Sequence, residues 1–295
     1  TPLQETLFNT TNAPIDVEYT FNVTTPSTTP VCPISPVNQT ITVRVYPNPT
    51  FTVTNNSGGG TGTICTGQQS SILLNTPIAG GQIRLVNVTY GAASGSYSPG
   101  ALFTNGQSLS ETLINTTGSP VTVDYEFEAI VGPCGPSVSQ VVSVIVNPTP
   151  NVVALPASQT ICSGANTSIA LSTTNGVAGA TYSWTVVQSG VTGATADTGT
   201  TINQALTATG STAGTATYTI TPDAGGCNGT PITVIVTVNP LPDVVAAPNA
   251  ETICSGATTN INLSTTNGVA GATYSWTVVQ SNVSGATAGF GTTIN

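Results

Sequence analysis

The sequence repeats itself, and the length of the repeat limits what it can fold into. Residues 161–203 (ICSGANTSIALSTTNGVAGATYSWTVVQSGVTGATADTGTTIN) return as residues 253–295 with 7 differences in 43 positions, at an offset of 92. Residues 5–19 (ETLFNTTNAPIDVEY) return as 111–125 (ETLINTTGSPVTVDY), at an offset of 106. Self-similarity of this kind is read before any local signal, because each repeat is one structural unit. Three β-like runs end in a proline pair: VRVYPNP at 43–49, VIVNPTP at 144–150 and VTVNPLP at 236–242. A Pro-x-Pro segment is extended and cannot donate to a strand ladder, so it makes a short stiff linker. The chain therefore divides into the second half of one domain (1–46), two whole domains (47–148 and 149–240) and the first half of a fourth (241–295).

Within the third segment, TSIALS (167–172), ATYSWTVV (180–187), TATYTIT (215–221) and ITVIVTV (232–238) are short β-branched runs separated by Gly-, Asn- and Pro-rich turns. Ala216, Tyr218 and Ile220 alternate with Thr, as do Ile232, Val234, Val236 and Val238 with their neighbours. A period of two predicts half-buried antiparallel strands with a Thr-covered outer face. No segment shows a helical period. About seven short strands in 92–102 residues fit an immunoglobulin-like β-sandwich, and the fold class is all-β. Trp184 and Trp276 lie in identical YSWTVVQS segments, where a sandwich places its central core residue. With Tyr125 and Tyr218 they are the expected core anchors. The second domain has IRLVNVTYG (83–91) instead, so its core must be filled differently.

Composition excludes most chemistry. The 295 residues include 2 Arg, 11 acidic residues, no Lys, no His and no Met, and 56 are Thr. Charged residues make up 4%, against about 25% in an average soluble domain. Imidazole metal sites and Ser–His, Cys–His or Lys-based catalysis are impossible. Without basic patches the chain is a poor partner for nucleic acid, and a net charge of −9 opposes docking on an anionic membrane. No apolar run approaches the 20 or so residues of a membrane-spanning helix. The first residues lack a basic and an apolar region, so no signal peptide is read there. The expectation is a piece of a longer secreted chain, with no cofactor.

Six cysteines stand at 32, 65, 134, 162, 227 and 254, none in a Cys-x-x-Cys pair. Cys65 and Cys134 are 69 positions apart, and Cys162 and Cys227 are 65 apart. These spacings predict one bridge within each whole domain, tying one end of the sandwich to the loop between its last two strands. Such bridges persist only in an oxidising compartment, and each would contribute roughly 4 kcal/mol by loop-closure entropy. Cys32 and Cys254 would then bridge to a neighbouring repeat segment. Joined tail to head, residues 254–295 and 1–32 restore the same spacing. Two explanations stand: the ends cut an arbitrary frame in a long repetitive chain, or half domains of successive subunits complete each other.

Other candidates are weaker. Asp124, Glu126 and Glu128 alternate along one strand and read as a solvated outer face, with a calcium site or an acid–base pair as rivals. The first segment carries Asp16, Glu18 and Thr20 in their place. Asp243 and Glu251 are too few for a linker calcium site. Gly58-Gly59-Gly60 is a flexible turn, not a phosphate loop, since no Lys follows. The N-x-S/T sequons at Asn9, Asn87, Asn115, Asn166 and Asn228 are expected of a chain rich in Asn and Thr.

The pattern ICSGA…YSWTVVQS…GTTIN…TYTITP…C…ITVIVTVNPLP resembles the tandem PKD-like and Ig-like repeats of very large cell-surface adhesins of Bacteroidota. These include gliding-motility adhesins exported by type IX secretion. The likeness covers 149–295 well and 1–148 loosely, and the YxWDFGDG-type signature of true PKD domains is missing. It implies extracellular, cell-surface stalk repeats forming a fibre that carries an adhesive tip. The implied partners are neighbouring repeats of the same chain or identical subunits in a filament, and surface glycans if loops such as 188–199 bind them. No enzyme is expected.

Overall fold

A computed structural model describes residues 4–22 and 38–295, which form two compact units, Thr1–Pro148 and Thr149–Asn295. The protein is all-β. The short 3-10 turn Ser57–Gly60 is the one helical element among the described residues.

In the first unit, a sandwich is built from two sheets. Five strands pair in the order Thr63–Cys65, Gln140–Asn147, Val121–Ile130, Gln82–Thr89 and Leu102–Phe103. Facing them are Thr52–Asn55, Ile72–Asn75 and Gln107–Leu109. Val121–Ile130 alternates as its sequence requires: Val123, Tyr125 and Phe127 are buried, with Val123 opposite Val144 and Tyr125 opposite Val142. Its inward residues meet Ile72, Leu74 and Leu109 from the other sheet. The position that lacks a tryptophan is filled by rings from elsewhere. Phe103 packs edge-on against Phe127, with centroids 6.2 Å apart, and Tyr97 tilts against Phe103 at 5.9 Å. Burying such rings supplies most of the apolar contact area of a small core. The same unit holds a separate hairpin, Ile15–Phe21 against Gln39–Val45, paired from Ile15↔Val45 to Phe21↔Gln39.

In the second unit, the sandwich has the same plan. Ser158–Cys162, Ile232–Asn239, Gly214–Ala224, Thr181–Ser189 and Asp197–Thr198 form one sheet, with Cys227–Asn228 folded back on Gly214–Ala224. Val153–Leu155, Ile169–Ser172 and Thr201–Ile202 form the other. Gly214–Ala224 alternates over eleven residues, burying Ala216, Tyr218 and Ile220. Trp184 is 4% exposed, opposite Ile220 in the sheet.

Both sandwiches contain a strand that the alternation pattern did not reveal. Ser158–Cys162 pairs in parallel with Ile232–Asn239, and Thr63–Cys65 pairs in parallel with Gln140–Asn147. Cys162 is the last residue of this edge strand. The pairing occupies the free edge of the last long strand, which would otherwise expose unpaired backbone groups.

Residues 241–295 repeat the first part of the preceding sandwich. They form Val245–Ala247, Ile261–Ser264 and Thr293–Ile294 as one sheet and Ser275–Trp276 with Gly289–Phe290 as another. Trp276 is half-buried and Phe290 is 87% exposed. Trp276 is thus less buried than Trp184 in the identical segment.

Candidate functional site

The cysteines are arranged by the long hairpins. Cys65 ends its edge strand opposite Asn147, and Cys162 ends its own opposite Asn239. Both therefore lie at the trailing end of a sandwich, where the chain leaves for the Pro-x-Pro linker. Cys134 lies in the turn between Val121–Ile130 and Gln140–Asn147, bridged to Val131. Cys227 lies in the corresponding turn, opposite Ala224. These turns are at the leading end. A Cβ on Gly132 would meet the ring of Tyr46 at 2.5 Å, and one on Gly229 would clash with the carbonyl oxygen of Pro150. Tyr46 and Pro150 are the residues by which the chain comes in.

This geometry corrects the expected bridges within each domain. Cys65 and Cys227 are disulfide-bonded, whereas Cys134, Cys162 and Cys254 are free thiols. Neither Cys65 nor Cys227 is thus bonded to the other cysteine of its own sandwich. An eight-residue strand separates the two ends, roughly 24 Å at 3.4 Å per step, while a disulfide spans at most about 7 Å between Cα atoms. Cys254, expected to bridge to a neighbouring repeat segment, is exposed. Cys32 lies outside the described residues.

A second constellation surrounds Glu111, which is 3% exposed. Its carboxylate accepts hydrogen bonds from the Tyr125 hydroxyl at 2.7 Å, the Tyr90 hydroxyl at 2.9 Å, the Tyr97 amide at 3.1 Å and the Ser96 hydroxyl at 3.1 Å. The Ser96 amide also donates to it. Burial raises the Glu111 pKa, but the donors outweigh burial and hold it below the usual carboxylate value. Burial first, and then the carboxylate, push the Tyr125 and Tyr90 phenols upward. The Tyr218 phenol, buried beside a neutral partner, rises to about 12. A charged, fully engaged carboxylate with no open face is a structural clamp, not an acid or a base.

The acidic row behaves differently from the expected solvated face. Asp124 accepts from the Ser143 hydroxyl at 2.6 Å. Glu128 is buried and accepts from Arg84 Nε at 2.7 Å across the paired strands. A bulge between Glu126 and Phe127 shifts the register at this point. Arg44 makes the matching pair in the first hairpin, donating through two nitrogens to Asp16. Both arginines of the chain are thus spent on cross-strand pairs. Among the described residues no group of three or more His, Cys, Asp or Glu side chains could hold a metal ion.

Two sequons are occupied by the fold. The Asn115 side-chain amide donates to the carbonyls of Ser119 and Val146, both at 2.8 Å, and its oxygen accepts from Thr117. Asn9 repeats the arrangement with Ala13, Val45 and Thr11. The loop 188–199 packs inward through Val191 and Ala194, both core residues. A cleft of about 320 Å³ beside Ser163, Thr209, Leu241 and Asn267 has neither a titratable group nor an aromatic ring in its lining. Among the described residues no helix is long and apolar enough to cross a membrane.

The architecture is that of immunoglobulin-like, PKD-like β-sandwiches. Residues 159–242 and 251–295 match the family model of the PKD-like domain. Among solved structures the chain is similar to a protein of unknown function from Porphyromonas gingivalis W83, at 10% identity over 64% of this chain and 99% of that one, with a TM-score of 0.26. It is also similar to human CDH23 EC21-23, at 11% identity over 75% and 80% with a TM-score of 0.33. A third is mouse cadherin-23 EC22-24, at 12% over 66% and 67% with a TM-score of 0.32. No curated protein matches the chain in sequence.

Proposed function

We propose that this chain is a non-catalytic stalk segment of an extracellular cell-surface adhesin, one that holds an adhesive tip away from the cell and bears force. In this reading the four segments 1–46, 47–148, 149–240 and 241–295 are successive repeats of a secreted fibre. The observation that carries it is the path of the chain through each sandwich. Entering at the hairpin turn beside Tyr46 or Pro150 and leaving at Asn147 or Asn239, the chain crosses the long axis of the fold. Domains with termini at opposite ends add length with each repeat. The match to the PKD-like family and the resemblance to Bacteroidota adhesin repeats support the same reading, including the cell-surface location. Type IX export and a part in gliding follow from that resemblance.

Small-angle scattering of the full chain tests it. A compact 295-residue protein would have a radius of gyration of about 19 Å. A stalk gives a value well above that, and a value near it overturns the reading.

A second reading, that the repeats grip glycans directly, would use loops such as 188–199. Against it, Val191 and Ala194 of that loop are committed to the core. Binding of the full chain on a glycan array would favour this second reading; uniform absence of binding leaves the stalk.

A further inference from the structure

We propose that Asn267 is a site of spontaneous deamidation, and that its conversion to aspartate or isoaspartate releases the linker residues 241–243 from the turn that holds them. The inference concerns residues 241–268 alone and does not depend on the stalk reading.

The linker is clasped by the turn that follows it in the fold. Asp243 Oδ1 accepts from the Thr266 amide at 2.9 Å and the Asn267 amide at 3.3 Å, and its other oxygen accepts from the Thr266 hydroxyl. In return the Asn267 side-chain amide donates to Leu241 O at 2.6 Å. Segment 149–240 builds the same clasp with a neutral residue. Asn151 Oδ1 accepts from the Thr174 and Asn175 amides at 2.9 and 3.2 Å, and Asn175 Nδ2 donates to Thr149 O at 2.9 Å. Asn175 is held at its oxygen as well, by the Thr173 hydroxyl at 2.6 Å.

Both turns read Thr-Thr-Asn-Gly, and the chain has four Asn-Gly pairs, at 105, 175, 228 and 267. In such a pair the glycine amide nitrogen attacks the Asn Cγ, since no side chain crowds it. A new C–N bond closes a succinimide ring, the old one breaks, and ammonia leaves with the glycine amide proton. Water then opens the ring to aspartate or isoaspartate.

All four asparagines are exposed, so access does not separate them. The bonding of the reacting groups does. Gly106 N donates to Leu74 O at 2.9 Å and Gly229 N to Pro222 O at 2.8 Å, so each must give up a bond before it attacks. Gly176 N and Gly268 N donate to no backbone carbonyl among the described residues. Of these two sites, Asn175 must release both its nitrogen and its oxygen, whereas Asn267 must release only its bond to Leu241. Asn267 therefore reacts first. Its product turns an acceptor toward the Leu241 carbonyl in place of a donor, and sets a second carboxylate beside Asp243.

The test ages the full chain at mildly alkaline pH and maps it with pepsin, separating isoaspartyl peptides, since two arginines leave trypsin little to cut. Asn267 should convert several-fold faster than Asn105 or Asn228, with Asn175 between. Conversion first at Asn105, Asn175 or Asn228, or at one rate for all four, overturns the proposal. In guanidinium chloride the four rates should converge; an order that persists there belongs to the local sequence and overturns it as well. Asp243→Ala should speed conversion of Asn267 and leave Asn175, the internal standard, unchanged, and an unaltered Asn267 rate contradicts the clasp. Hydrogen exchange reads the release. The Thr266 and Asn267 amides should exchange faster in the aged chain, and unchanged exchange overturns the release of the linker.

Discussion

Tyr125 donates its hydroxyl to Glu111, fourteen residues earlier in the chain, at 2.7 Å in the middle of a sandwich. The same separation recurs. Tyr19 donates to Glu5 at 2.9 Å, and Tyr218 donates to Gln204 at 2.9 Å. The partner is charged and enclosed in one sandwich and neutral in the other, which sets up a direct comparison. Losing a buried hydrogen bond to a charged group costs about 1.5–3 kcal/mol, and to a neutral group about 1 kcal/mol. Tyr125→Phe should therefore lower stability by more than Tyr218→Phe does, as read from urea unfolding followed for each sandwich.

The Glu111 carboxylate also makes stability depend on pH. Its pKa is lowered in the folded state relative to about 4.3 in an unfolded chain. The stabilisation it gives is fully present above the unfolded value and is lost as pH falls through the folded one. Acid unfolding of the sandwich 47–148 should accordingly steepen below about pH 4. Glu111→Gln should flatten that dependence, at the cost of turning an amide nitrogen toward groups that donate. An unchanged pH profile in the variant would contradict the clamp.

Trp184 should report a buried environment. Trp184 Nε1 donates to Thr195 O at 3.2 Å, and Trp276 Nε1 donates to Thr287 O at 3.1 Å, so the local loop is the same. Trp184 packs in the core beside the strand Gly214–Ala224. Acrylamide should quench it weakly. Trp184→Ala should cost about 3–5 kcal/mol, as large core truncations do.

The two arginines differ in the same way. The Arg44–Asp16 pair is open to water, with side chains 60% and 43% exposed, and such pairs contribute about 0–1 kcal/mol. Arg84 pairs with a Glu128 side chain that is 10% exposed. Removing Arg84 leaves a buried carboxylate short of donors, so Arg84→Ala should destabilise by about 1–3 kcal/mol and Arg44→Ala by little. Equal effects in thermal unfolding would sink the distinction.

The long strands were legible because alternation is a local signal. Thr181–Ser189, Gly214–Ala224 and Ile232–Asn239 agree with the runs read from sequence to within three residues at either end. The parallel edge strand Ser158–Cys162 was not, since SQTIC has no apolar face and owes its conformation to Ile232–Asn239. Cysteine spacing misled for a related reason. Intervals of 65 and 69 residues place two cysteines within one repeat, but carry no information on which end of a sandwich each cysteine occupies. Glu128 looked like a surface acid because its burial depends on Arg84 from another strand. The Glu111 clamp left a trace that could have been read: the duplicated segments 5–19 and 111–125 begin with the glutamate and end with the tyrosine.

Pulling the full chain from its two ends in reducing buffer tests the stalk reading most directly. The account predicts two separate unfolding events at appreciable force, one for each complete sandwich, each releasing about 300 Å of chain at 3.3–3.6 Å per residue. Smooth extension at low force without discrete events would contradict it.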